Sequence, residues 1–324
     1  MVKIALDTLG GDLGVSATLG GAKLFLDAHK GDEVSLLLVG KPEELGSLNQ
    51  EIVPARDVVK MEGGALDALR QKDSSMIQAI LQVKNKKADA VVSTGGTGVF
   101  LSAATVYLGR ISGVRRAAFA TPLPTEKDKP AILLDCGASN QNSGEEIAQF
   151  ALMGAAYDRI AFGVEKPKCY LLSNGSEPEK GSPEGKEAYT LLSHDERIDF
   201  GGNFEANEVF SGKADVIATD GYSGNVLLKA IEGTGKMMKS LLKDAFTSSA
   251  RAKLGYVFAK KGLKASMASL DPKKVGGSLL LGVNGVVVKA HGNSDAQAVY
   301  HALEAAYKAA LSDLPGQIER GMPR

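Results

Sequence analysis

Tryptophan is absent from the 324 residues, cysteine occurs twice and histidine four times. Two cysteines, Cys136 and Cys169, cannot build a disulfide framework or a Cys-rich zinc centre. The histidines stand at 29, 194, 291 and 301 without the spacing of a His-Glu-x-x-His site, so no metal is expected. A charge excess of one sign is also missing. The 38 basic and 38 acidic residues balance, which argues against a nucleic-acid partner. No apolar run approaches the roughly 20 residues of a membrane span. The opening MVKIALDTLGGD reads as a strand and a turn rather than a signal peptide. A reducing cytosol is therefore the expected setting.

Glycine, in contrast, is abundant: 38 residues, about 12 % against a usual ~7 %. The glycines cluster where apolar runs end. Strands are expected over 3–7, 34–40, 88–94, 117–123, 131–135, 168–174 and 214–220, and a hairpin over 279–292 turning at Asn284-Gly285. Helices are expected near 14–29, 74–87, 98–110, 144–161, 183–194, 223–248 and 294–311. Continuous apolar strands alternating with helices predict an α/β fold, a mostly parallel sheet with helices on both faces in the Rossmann-like manner. No linker divides the chain, so residues 1–324 read as a single α/β domain. The tail from about 313, beginning Leu314-Pro315-Gly316, is expected to be loosely held.

Open parallel sheets bind ligands beyond the carboxyl ends of their strands. The exits here carry Asp7, Gly10, Gly11 and Asp12; Ser93, Thr94, Gly95, Gly96, Thr97 and Gly98; Asp135; Asn174 to Glu177; Asp220 to Asn225; and His291 to Ser294. Several lead into helix N-termini, where unpaired N–H groups and the helix dipole favour anions. Taken to point at one sheet edge, they predict an anion site. No nucleotide signature accompanies them. Gly96-Thr97-Gly98 begins G-x-G-x-x-G, but Leu101 stands at the third glycine. Gly235-Lys236 is followed by Met237 where a phosphate-binding loop needs Ser or Thr. No G-x-S-x-G elbow exists, and Cys136 ends a buried strand, where cysteine is ordinarily a small core residue. No cofactor is expected.

From Lys236 to Lys274 the chain carries ten Lys or Arg against two Asp. Met237, Met238, Leu241, Leu242 and Phe246 form an apolar stripe at helical spacing. Such a basic amphipathic excursion suits an anionic membrane surface or a partner helix, or a dimer or core helix with solvated lysines.

DTLGGD (7–12), RQKDSSM (70–76), ADAVVSTGGTG (88–98), LLDCGA (133–138), EPEKG (177–181), DGYSGNVLLKAIEG (220–233) and GVNGVVVKAHGNSDA (282–296) occur in this order. Together they resemble the phosphate acyltransferases that act on acyl-carrier-protein thioesters, the PlsX type, over residues 3 to 310. The chain departs from the family at Gly96, where Asn is common, at Leu9 for Met, at Tyr222 for Phe, and at Glu205-Ala206-Asn207-Glu208.

The resemblance implies a fold related to phosphate acetyltransferases and isopropylmalate-type dehydrogenases, and a homodimer. It implies conversion of acyl-acyl-carrier-protein and inorganic phosphate to acyl phosphate for glycerophospholipid synthesis. It also implies a cytoplasmic protein with peripheral contact at the inner membrane face. Phosphate would lie against the amides of Gly10–Gly11 and Thr94–Gly98, with Thr97 donating its hydroxyl. Lys180 would supply positive charge, Asn225 would donate to the oxyanion or phosphate, and His291 would protonate the thiolate or bind phosphate. Arg70 and Lys72 would contact phosphate or an acidic carrier protein. Alternatives are an acyl-coenzyme A donor, an isopropylmalate-type dehydrogenase and a membrane-bound scaffold.

Overall fold

The computed structural model describes residues 1–59, 69–127, 129–269 and 276–322, with 264–269 described by their backbone alone. The end of the basic stretch, 270–274, therefore lies outside the described residues.

Among the described residues, eleven strands form one sheet in the order β3-β2-β1-β4-β11-β10-β5-β6-β9-β7-β8. They are β1 (Val2–Asp7), β2 (Val34–Gly40), β3 (Glu51–Pro54), β4 (Ala90–Ser93), β5 (Ala118–Leu123), β6 (Ala131–Leu134), β7 (Lys168–Ser173), β8 (Asp199–Glu205), β9 (Val216–Ala218), β10 (Ser278–Leu281) and β11 (Val286–Lys289). The longer helices are α1 (Gly14–Ala28), α3 (Ser75–Lys84), α4 (Thr97–Leu108), α5 (Gly144–Phe162), α6 (Pro183–Ser193), α7 (Gly221–Thr247), α8 (Ala250–Ser269), α9 (Ala296–Leu311) and α10 (Leu314–Gly321); α2 is the single turn Pro42–Leu45.

Strand alternation sorts the apolar side chains into two layers. Ile4, Leu6, Leu38, Val92 and Val288 face Phe25 of α1, Phe150 of α5 and Leu303 of α9. Ala5, Leu37, Val91 and Val287 face Ile77 and Ile80 of α3 and Phe100 of α4. Both faces are thus covered, which is why the central strands read as unbroken apolar runs.

The sheet is mostly parallel, but its polarity reverses in the middle. β3, β2, β1, β4 and β11 run together, and so do β6, β9, β7 and β8. Between them β10 and β5 make three antiparallel pairings. Residues 118–120 of β5 pair with β10 and 121–123 with β6, so one strand joins the two blocks. The strand exits therefore do not share one edge of the ladder, in contrast to the expectation from sequence. They form two groups, one for each parallel block.

The tail also differs from expectation. It folds as α10, which packs on α5 and buries Leu314, Ile318 and Met322. Their spacing of four puts all three on one face, and that apolar face docks it. Strands β3 and β8 are additions to the expected set: β3 is half-exposed and four residues long, and β8 carries glycines at 201 and 202.

Candidate active site

Three neighbouring strands end in one row. Leu6 pairs with Val92, and Lys289 pairs with Ser93, so Asp7, Ser93 and Lys289 stand side by side. Ala5, Val91 and Val287, two residues earlier on each strand, lie in the layer under α3 and α4. The three polar side chains share that face. Asp7 is fully buried; Ser93 Oγ donates to its Oδ2 at 2.7 Å, and the amides of Leu9 and Gly10 reach Oδ1 at 3.3 Å. Burial raises the Asp7 pKa, and the bonds from Ser75, Ser93, Leu9 and Gly10 oppose that shift. Lys289 is only 8 % exposed, and its ammonium donates to the Ala290 carbonyl. Burial lowers its pKa to about 8, against the pull of Asp7 and Asp12.

Above this row lies a mouth built from glycine. Thr94 Oγ1 donates to the Gly10 carbonyl at 2.6 Å, and the Asp12 amide donates to the Gly292 carbonyl at 2.7 Å. Gly11 has φ +85°, and a Cβ there would lie 2.7 Å from Thr94 Oγ1 and 2.9 Å from the Gly292 oxygen. A Cβ on Gly10 would lie 2.7 Å from the Asp7 carboxylate and 2.8 Å from the Gly95 nitrogen. Both positions admit only glycine. Gly96 is the N-cap of α4 and offers no side-chain bond. The first-turn amides of Thr97, Gly98 and Val99 have no partner within their helix. Thr97 and Gly98 are exposed, and the space beside Gly98 is open. An Asn at 96 would sit at the cap and accept from one of these amides; Gly96 leaves them uncapped.

His291 lies on the rim, half exposed, with Nε2 3.8 Å from Glu232 Oε1. Lys229 Nζ donates to the other oxygen of Glu232 at 3.0 Å. Burial lowers the His291 pKa; Lys289, Lys229 and Lys236 push the same way and Glu232 opposes them. Burial thus favours the neutral imidazole, which can donate or accept a hydrogen bond.

Helix α7 ties this mouth to the second group of exits. Asn225, Lys229, Glu232 and Lys236 recur at helical spacing and share a face. Asn225 and Glu232 lie about 10 Å apart along the axis. Asn225 sits against the β6 exit, where a Cβ on Gly137 would be 3.0 Å from its Cγ. That exit is organised by Asp135, which is fully buried. Its Oδ1 accepts from the amides of Phe119 at 3.0 Å, Gly137 at 3.2 Å and Ala138 at 2.9 Å; its Oδ2 accepts from the Ser139 amide at 3.0 Å and hydroxyl at 2.8 Å. Asn142 Oδ1 accepts from the Gly221 amide at 3.0 Å and fixes the start of α7. Asp220 is the N-cap, accepting from the Ser223 amide at 2.8 Å.

Lys180 stands exposed on the loop after β7, its stem against Gly175. Beneath that loop a cavity of about 20 Å³ is lined by Ser173, Ser182, Asn203, Thr219 and Asp220, among others. No contact joins Lys180 to the glycine mouth among the described residues. Arg70 and Lys72 lie exposed just before α3, whose Ser75 touches Asp7.

The structure thus gathers Gly10, Gly11, Asp12, Ser93 to Gly98 and His291 into one site. It places Asn225 at the far end of the connecting helix. Asp7 and Asp135, expected among the substrate contacts, are both fully buried, and their carboxylates are filled by protein donors from their own loops and from neighbouring elements. Sequence reasoning overlooked Lys289, Lys229 and Glu232. The signal for Lys289 was a lone lysine closing the apolar run Val286-Val287-Val288. Lys229 and Glu232 carry no local signal, and the fold sets them beside His291. Among the described residues no group of three or more His, Cys, Asp or Glu could hold a metal ion.

Comparison with known proteins adds the chemistry. A family model described as fatty acid synthesis protein matches residues 2–316. The phosphate acyltransferase of Fervidobacterium nodosum is 40 % identical over 98 % of this chain and 97 % of its own. That of Staphylococcus aureus is 40 % identical over 94 % of both chains. The chain belongs to the phosphate acyltransferase family. Its fold is shared with a phosphotransacetylase from Streptococcus pyogenes, at TM-score 0.62 and 17 % identity over 96 % of this chain and 94 % of that one. EutD phosphotransacetylase from Staphylococcus aureus gives TM-score 0.59 at 18 % identity, covering 95 % and 94 %. Membership of this family supports transfer of an acyl group to phosphate.

A thiol relay finds no support in this chain. Cys136 is buried and desolvation pushes its thiol up to about 12; burial pushes the Cys169 thiol up as well. Neither is a thiolate at neutral pH.

The basic stretch of this family member is a helical hairpin of α7 and α8. Met237, Met238 and Leu241 are exposed, as are Leu254, Val257 and Phe258. Leu242 and Phe246 are half-buried instead, and Phe246 meets the Tyr256 ring at 5.3 Å, which takes it out of the outward stripe. No described helix is long and apolar enough to cross a membrane.

Proposed function

We propose that the chain transfers an acyl group from an acyl-acyl-carrier-protein thioester to inorganic phosphate, forming acyl phosphate for glycerophospholipid synthesis. The uncapped first turn of α4 facing the Gly10–Gly11 turn carries this reading, because it offers convergent donors where a small oxyanion fits. A phosphate oxygen attacks the thioester carbonyl carbon, the carbonyl electrons move to oxygen, and the C–S bond then breaks as they return. The thiolate leaves with its electron pair and takes a proton from solvent; a thiol of pKa ~8.5 needs little acid help. Phosphate is already an anionic nucleophile, so the site's work is to hold it in place and stabilise the oxyanion.

Asn225 and Lys180 are assigned to the oxyanion and the donor, and the neutral His291 to a hydrogen bond with phosphate. The exposed apolar residues along the arms of the α7–α8 hairpin support a homodimer contact or docking on an anionic membrane at the inner face of the cell, where a long-chain acyl phosphate would be handed on. The deciding assay measures phosphate-dependent thiol release from acyl-acyl-carrier-protein and from acyl-coenzyme A in parallel, with acyl phosphate identified by mass. A preference for the coenzyme A thioester would refute the carrier-protein assignment.

A further inference from the structure

Lys289 is the feature of the mouth that its packing leaves unexplained. An ammonium has three N–H donors. Among the described residues only one acceptor meets them, the carbonyl of the adjacent Ala290. No carboxylate lies within ion-pair reach of Nζ among those residues; Asp7 and Asp12 act on it only through space. The nearby carboxylates are otherwise engaged. Asp7 is filled by Ser93, Ser75 and the Leu9 and Gly10 amides, and Glu232 is held by Lys229.

A buried cation without a carboxylate in contact is unfavourable, and the lowered pKa of about 8 records that cost. A leucine or methionine at the end of an apolar strand would pack without it. The surroundings show what would offset the charge. Lys289 stands in the row beneath the glycine mouth, on the sheet face covered by α4, whose first-turn amides are uncapped. A tetrahedral oxyanion has acceptor lone pairs for the ammonium and for several amides at once.

Resting on the reading of the site as a phosphate acceptor, we propose that Lys289 is the phosphate-binding cation, contacting inorganic phosphate from below while the first-turn amides of α4 hold it from above. The two lysines then have separate roles. Lys289 holds the acceptor, and Lys180, on its exposed loop, is left for the acyl donor and the oxyanion.

The test is Lys289→Met, which keeps the stem and removes the charge, with Lys289→Gln beside it in case the first does not fold. Thermal unfolding is followed in potassium phosphate and in potassium chloride of equal ionic strength, and the KM for each substrate is measured. The unaltered protein should gain Tm in phosphate. The variants should lose that gain while matching or exceeding the parent Tm in chloride, because a desolvated charge has gone. Their KM for phosphate should rise at least tenfold, with the KM for the acyl donor unchanged. A merely structural lysine would instead lower the Tm in chloride and leave the phosphate KM alone, and that result overturns the proposal. Variants that keep the phosphate-induced gain also overturn it, while acyl phosphate formation by the parent leaves the functional reading standing. If the parent gains Tm in phosphate and the variants do not, but no acyl phosphate forms, the binding role of Lys289 stands and the functional reading falls.

Discussion

Asp7 and Asp135 occupy matching stations, each a buried aspartate at the exit of a central strand with a glycine turn after it. Around Asp135 the loop closes completely: five donors fill the carboxylate, and Asn142 locks the next helix in place. Around Asp7 the loop closes only on the inside. The next strand but one contributes Lys289 instead of another donor, and the mouth above it stays open between Gly11, Gly292 and the start of α4. A buried carboxylate thus does the same structural work twice, and only the second setting leaves groups over for a ligand. A strand-exit aspartate is by itself a poor marker of a site; an unsatisfied neighbour is a better one.

The largest expected contrast comes from deleting each carboxylate. Asp135→Ala leaves several buried N–H groups without acceptors and should cost on the order of 3–5 kcal/mol in urea unfolding. Asp7→Asn keeps one acceptor oxygen and should cost about 1–3 kcal/mol. Equal losses would remove the distinction between a lock and an open site.

Asn225→Ala should lower the rate of acyl-phosphate formation by about 10²–10³, the usual worth of an oxyanion donor, with the far-UV spectrum intact. Near-normal turnover would confine Asn225 to packing against Gly137.

Two glycines of the mouth should respond in opposite directions. Gly11→Ala meets Thr94 and the Gly292 carbonyl at positive φ, and should destabilise by about 1–3 kcal/mol. Gly98→Ala enters open space in the first turn of a helix and should stabilise by about 0.5–1 kcal/mol. Thermal melts of the pair decide this, and destabilisation by Gly98→Ala would mean that the first turn of α4 is not open.

The smallest effect concerns a third buried aspartate, Asp158, which is answered by a lysine rather than by amides. Lys129 Nζ bridges Asp158 at 2.7 Å and Asp215 at 2.8 Å, while Asp158 Oδ1 has no partner. Burial raises the Asp158 pKa to about 6. With the folded value above the unfolded one, the proton stabilises the fold. That contribution is complete below the usual carboxylate range and is lost as pH rises through about 6. Stability measured from pH 7 down to 5 should therefore rise through this group, and Asp158→Asn should flatten that part of the profile. Parallel profiles would show that Asp158 is already ionised throughout.

Much of the body was legible in the chain. Strands such as Leu36-Leu37-Leu38-Val39 and Ala90-Val91-Val92 are buried on both faces, so an unbroken apolar run is the only pattern they can show. The hairpin was marked by Asn284-Gly285, and the glycine mouth by clustering at strand ends. Less was legible where the determinant is long-range. The docked tail depends on whether α5 presents an apolar surface to Leu314 and Ile318. Half-exposed β3 has no periodicity strong enough to announce it.

The sequence by itself determined the α/β class, the family and the stations of the glycine turns, because these follow from local periodicity, backbone sterics and motif order. Tertiary structure alone decided that the sheet reverses polarity at β5, that Asp135 is a lock, that α7 carries Lys229 and Glu232 to His291, and that Lys289 lies beneath the mouth. Those facts depend on which strands become neighbours and in what register. Pairing across 86 residues, as between Asp7 and Ser93, leaves no trace in local pattern.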